Sequence, residues 1–140
     1  MKLSIMTIYP KGIMILASAL LITACQESLE DRAAREAKEI TAKTCPQDIG
    51  NGMTYDSITF NRNKKEIHYH YTISGAGDSL ELIKSKEQEM REQMLEAMRN
   101  DLSKKAYKEA GFSFGATIYS KKNPRQKLFS ATFAAKDLSR

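Results

Sequence analysis

The chain has 140 residues, carries 22 Lys and Arg against 17 Asp and Glu, and is formally +5 at pH 7. So small a surplus, without a basic aromatic motif, lacks the electrostatic footprint of a nucleic-acid binder. With 41% apolar residues and only two cysteines, the chain can build one domain with a modest core but not a disulfide scaffold.

Lys2 and Lys11 open a positive N-terminal stretch, and no acidic residue occurs before Glu27. Gly12 to Ala24 then form an uninterrupted apolar run. A bilayer span needs roughly 20 apolar residues, so this run has the length of a signal-peptide core. It closes on Leu21-Ile22-Thr23-Ala24-Cys25, with small residues just before the cysteine. These five residues resemble the lipobox of bacterial lipoproteins.

The resemblance implies a signal peptide over residues 1–24, removed in the mature protein, and a covalent lipid at Cys25. Diacylglycerol on the thiol and, in many bacteria, an acyl chain on the new amino group give a stable anchor, where a single chain binds reversibly. Gln26 follows the cysteine, where in enteric bacteria an Asp retains a lipoprotein in the inner membrane. The resemblance therefore implies the outer membrane, facing the periplasm. A secretory peptide with an incidental cysteine, or an uncleaved short anchor, is the alternative. Loss of Lys2 and Lys11 lowers the formal charge from five by two, to plus three.

Lipidation leaves Cys45 alone in an oxidising compartment, where burial, an intermolecular disulfide or a free thiol are its fates. Residues 25–44 form a tether. Leu29, Ala33, Ala37 and Ile40 recur at helical spacing among charges of both signs, so the tether is either a helix or a flexible charged linker. Residues 45–140 form the single domain. Its first stretch, Cys45 to Gly52, is rich in helix breakers.

Met53 to Phe60 reads as a strand, Asn61 to Lys65 as a polar turn, and Glu66 to Ser74 as a second strand. Ile67, Tyr69, Tyr71 and Ile73 share one face of the second strand; His68, His70 and Thr72 share the other. After Gly75-Ala76-Gly77, Asp78 or Ser79 can cap a helix, and neither Gly nor Pro occurs from Ser79 to Ala110. A continuous helix there measures about 48 Å, against about 27 Å for a strand. We expect a break near Asn100-Asp101-Leu102-Ser103, where short polar residues lower helix propensity. Two more alternating strands follow, carrying Phe112, Phe114, Ala116 and Ile118, then Phe129, Ala131, Phe133 and Ala135. A turn around Asn123-Pro124 joins them.

The expected fold is α+β with the order β-β-α-β-β: a four-stranded antiparallel sheet with a long, broken helix across one face. In layout it resembles small secreted modules of the cystatin-like or β-lactamase-inhibitor-like kind, and that resemblance carries no function.

Three sets of side chains are candidates for a site. His68 and His70 lie on one strand face within reach of a shared metal, with Asp56 or Asp48 as a third ligand; solvated strand residues are the simpler reading. Met90, Met94 and Met98 at four-residue spacing read as core, with an adaptable groove for a partner or copper(I) as the alternative. Arg62, Lys64 and Lys65 crown the first hairpin tip; Lys121, Lys122, Arg125 and Lys127 surround the second. The tips converge on an anionic partner if the helical region doubles back, and lie apart if it runs straight.

No phosphate loop, nucleophile elbow or His-Glu-x-x-His motif occurs, and no cofactor is implied. The expected function is a non-catalytic, membrane-anchored binding or accessory lipoprotein. Its expected partner is an anionic envelope component or, inhibitor-like, a protein. A small metal protein or enzyme centred on His68 and His70 is the alternative. Cys25→Ala should abolish acylation and move the protein from the membrane to the soluble envelope fraction, read by intact mass and fractionation.

Overall fold

The computed structural model describes residues 26–139. The expected signal peptide and the lipobox-like residues ending at Cys25 lie outside the described residues. Helix α1 (Leu29–Thr44) leads into strands β1 (Gln47–Gly50), β2 (Met53–Asn61) and β3 (Glu66–Ile73). A crossover follows, made of α2 (Leu80–Ser85), α3 (Glu87–Asn100), a 3-10 turn (Leu102–Lys104) and α4 (Lys105–Glu109). Strands β4 (Ser113–Ser120) and β5 (Lys127–Phe133) and the short α5 (Ala135–Leu138) complete the fold.

The sheet is five-stranded in the order β1-β2-β3-β4-β5. The β1–β2, β2–β3 and β4–β5 pairs are antiparallel, but β3 and β4 are parallel, from Glu66↔Ser113 to Ile73↔Ser120. The fold class is α+β, and the expected four-stranded antiparallel layout is corrected on two points. The breaker-rich stretch hides the edge strand β1, which turns into β2 through Gly50, Asn51 and Gly52, all at positive φ. Any Cβ at Gly52 would collide with the Ser74 carbonyl, so this hairpin depends on glycine there. The central pair is parallel because the crossover returns the chain to the end of the sheet where β3 began.

Segment 25–44, expected as a tether, forms α1 from Leu29 onward and packs along β2. Ser28 caps it by accepting from the Asp31 N–H at 3.1 Å, and Glu30 and Asp31 suit the positive end of its dipole. Pro46 stops it by forcing Cys45 into extended backbone. Ala33 and Ala37 are buried against the sheet, and Thr41 both donates to Ile58 O and accepts from Ile58 N–H at 3.0 Å. That side chain stands in for a missing neighbour strand along β2.

The crossover breaks at Asp101, as its polar residues predict, and also at Lys86. Asp101 leaves helical geometry and accepts from Ser103 N–H and Oγ at 3.0 and 2.6 Å. Lys108 Nζ then donates to the carbonyls of Met98, Arg99 and Asp101, satisfying the open end of α3.

The core is aromatic where these pieces meet. Phe112 is fully buried and stacks on Phe60 with ring centroids 5.6 Å apart, and Tyr107 packs against it at 5.2 Å. The Tyr107 hydroxyl donates to Glu36 Oε2 at 2.8 Å, joining α4 to α1. Burial, then that hydrogen bond to a carboxylate, push the Tyr107 phenol up to about 12. Phe112→Ala should cost about 3–5 kcal/mol in urea unfolding, whereas Gln88→Ala on the exposed face of α3 should stay within about 0.5 kcal/mol.

Candidate functional site

Helix α1 covers β2, while α2 and α3 lean toward β5. The strip of sheet between them, over β3 and β4, is left partly unroofed. Tyr69, Tyr71, Phe114 and Ala116 form the floor of the resulting groove. Met94, Ala97 and Met98 of α3 form one wall, and Asp101 and Lys104 close one end around a cavity of about 200 Å³. Tyr55 extends the aromatic floor, its ring 5.4 Å from Tyr71 and 6.1 Å from Tyr69. Burial holds the phenols of Tyr55, Tyr69 and Tyr71 above their ordinary range, so all three stay neutral donors at physiological pH.

The methionine stripe packs against the core, as its spacing predicts, and Met94 and Met98 also line the groove. No residue of α3 is fully buried; Met90, Met94 and Met98 are half-buried and Ala97 is exposed. Four-residue spacing predicts a shared face but not what lies opposite it. Tyr69 and Tyr71 do belong to the apolar sheet face, and they too remain half-buried.

The opposite face of the sheet is polar. His68 Nδ1 lies 2.6 Å from Glu66 Oε1 and Nε2 lies 2.7 Å from Thr117 Oγ1, which is 3.0 Å from Ser130 Oγ. His68 lies over Gly115, where a Cβ would fall 2.5 Å from Nδ1. His70 stands 4.8 Å away, ring to ring, with Nε2 at 2.9 Å from Thr59 Oγ1. The histidines share a face as expected, but they are half-buried and hydrogen-bonded rather than solvated. His68 has both ring nitrogens engaged, and Asp56 accepts from Thr72 Oγ1 at 2.6 Å. Among the described residues, no group of three or more His, Cys, Asp or Glu side chains could hold a metal. Cys45 is a free, half-exposed thiol whose pKa burial, then Asp56, push upward, the reverse of activation.

The parallel register separates the basic tips. Arg62, Lys64 and Lys65 lie at the Glu66 end of β3, and Lys121, Lys122, Arg125 and Lys127 at the Ile73 end. Seven residues of strand, about 23 Å, lie between them, so the positive charges form two groups. At the first tip Arg62 pairs with Asp31 at 2.7 Å and Lys65 with Glu30 at 3.2 Å. At the second, none of the four basic side chains has a carboxylate within salt-bridge distance among the described residues. The buried Asp78 instead accepts from the Lys122 backbone N–H at 2.9 Å and fixes the base of the turn.

Residues 28–129 match the family described as Domain of unknown function (DUF8479). The chain belongs to this family. No curated protein matches it. A crystal structure from Pseudomonas aeruginosa, of a protein described as secreted, is similar at 18% identity and a TM-score of 0.64, over 81% of this chain and 99% of that one. The type 2 secretion system pilotin EpsS of Vibrio vulnificus is similar at 13% identity and 0.58, over 80% and 93%. The type II secretion system pilotin AspS of Vibrio cholerae is similar at 12% and 0.56, over 78% and 91%. At these identities the likeness establishes the fold, an α+β module shared with pilotins rather than a cystatin-like or β-lactamase-inhibitor-like one.

On the polar face, His70 is half-buried beside His68. Burial, then the neighbouring His68, hold its pKa below the ordinary value, with Asp56 opposing. The unfolded chain takes up that proton near pH 6.5, at about the ordinary imidazole value, and the folded protein only at lower pH. The unfolded state then binds more protons, and stability falls as pH drops through this window. His70→Gln should reduce the fall in melting temperature between pH 7.5 and pH 5 that the parent protein shows.

Proposed function

We propose that this chain is a membrane-anchored, pilotin-like accessory lipoprotein of the outer membrane, facing the periplasm. Its groove binds an apolar-faced peptide segment of a secretion-system protein. The observation that carries the reading is the unroofed strip over β3, where tyrosine rings and methionines line one continuous groove. Tyrosine supplies rigid, amphipathic contact area, and methionine adapts its shape to an incoming side chain. A cavity with one Asp and one Lys at its end suits a segment that is mostly apolar and carries few charges.

The lipobox resemblance supplies the anchor, and the fold shared with two type II secretion pilotins supports the class of partner. The finer reading, recognition of an anionic component, falls to Lys121, Lys122, Arg125 and Lys127. The first tip spends Arg62 and Lys65 on the acids of α1. With His68 committed to Glu66 and Thr117, the metal-centred alternative has no favouring observation.

A photocrosslinker at Ala97 in the acylated protein should capture an outer-membrane secretion component in the native envelope, identified by mass spectrometry. Met94→Asp should abolish that product while leaving the protein folded. Crosslinks confined to lipid or abundant bystanders, or capture unaffected by Met94→Asp, would remove the groove as the binding site.

A further inference from the structure

The anchor and the fold together fix which end of the domain meets the membrane. Only Gln26, Glu27 and Ser28 separate Cys25 from α1, so the helix starts within about 14 Å of the lipidated residue. The first turn of α1 is held at the first hairpin tip by Asp31–Arg62 and Glu30–Lys65. The Glu66 end of the sheet is therefore drawn against the bilayer, with no spacer to let the domain turn over.

That same end carries Leu102, the most exposed large apolar side chain described, at 82%. It sits in the 3-10 turn at the close of α3, next to Lys104 and Lys105. Lys104 reaches over Tyr107, as does Arg32 of α1, so this turn is a neighbour of the tethered helix. Beside Leu102 a cavity of about 460 Å³ is lined by Arg99, Lys105, Lys108, Glu109 and Leu138, with Lys105 in an exposed pair with Glu109 at 3.7 Å. Lys64, exposed at the hairpin tip, adds a further cation. A bilayer interface takes such an exposed leucine among acyl chains and the neighbouring ammonium groups among phosphates.

We infer that Leu102, flanked by Lys104 and Lys105 and joined by Lys64, forms a membrane-contact surface that seats the domain upright on the phospholipid leaflet. The inference rests on the lipid-anchor reading and goes beyond it by assigning the face. Held this way, β3 and the groove above it run along the membrane normal. The second basic tip projects into the periplasm.

The chain contains no tryptophan, so one introduced indole reports depth without background. The acylated full chain carrying Leu102→Trp, Lys64→Trp or Asn123→Trp is reconstituted in phosphatidylethanolamine–phosphatidylglycerol vesicles containing a dibrominated phospholipid. The indoles introduced at positions 102 and 64 should shift to the blue and lose most of their emission. The one at position 123 should behave as it does in plain vesicles. Vesicle-bound, acylated protein with position 102 no more quenched than position 123 overturns the seating and leaves the anchor standing. Protein without added acyl mass, washing freely from the vesicles, overturns both.

Discussion

Parallel pairing of β3 with β4 is the constraint on which the remaining structure depends. An antiparallel neighbour needs only a short turn, whereas a parallel one obliges the chain to travel the length of the sheet and re-enter at the starting end. The crossover does this with α2, α3 and α4, and the register Glu66↔Ser113 is its result. From it follow the positions of the two basic tips at opposite ends, and of Phe112 directly after the crossover. The chain is pinned there: Phe112 stacks on Phe60 of β2, and Tyr107 reaches Glu36 of α1. Burial of Glu36 raises its pKa, but hydrogen bonds from Arg32 and Tyr107 outweigh that and hold the carboxylate below its ordinary value. The junction is thus satisfied as well as packed.

The groove is the complement of this arrangement. One helix packs along β2 and the crossover leans toward β5, so neither covers β3 fully. Tyrosine suits such a strip because its ring packs on the sheet while its hydroxyl reaches the open side. Methionine suits the wall for a related reason: it fills space in the free protein without fixing the groove's shape. A closed core would gain more from branched aliphatic side chains, which are buried elsewhere on the same sheet face at Ile58, Ile67, Ile73 and Ile118.

The strands β2 to β5 were legible in the sequence because alternation reports a two-faced surface wherever one face is buried. Their pairing was not, since Phe112 to Ile118 alternates identically beside a parallel or an antiparallel partner. The break at Asp101 could be read from two short polar residues, but Lys86 sits among good helix formers and gives no such signal. β1 escaped because Gly50-Asn51-Gly52 reads as a loop while serving as the turn of a hairpin. The candidate site was half legible. Met90, Met94 and Met98 marked the right face of the right helix, yet spacing cannot distinguish a groove wall from a core. His68 and His70 fell on the predicted face, but the partners that engage them, Thr117 and Thr59, come from neighbouring strands. The exposure of Leu102 had no signature at all, because a leucine in an otherwise helical window reads as buried.

If Cys25 carries the lipid, the short link to the helix gives the ion pairs at the first tip a role larger than their energy. Exposed pairs such as Asp31–Arg62 contribute little to stability. A domain fixed three residues from its anchor nonetheless needs only a small bias to prefer one orientation, because the tether has already restricted the alternatives. Those pairs supply the bias by holding the start of α1 at one corner of the sheet. In the proposed seating, Leu102, beside Lys104 and Lys105 at the same end, would meet the surface that the anchor brings to it. The aromatic junction of Tyr107 and Phe112 comes to lie at the membrane-proximal end of the groove. Under the proposed seating, a segment bound in the groove would lie along β3, perpendicular to the bilayer, and extend from that end toward the periplasm.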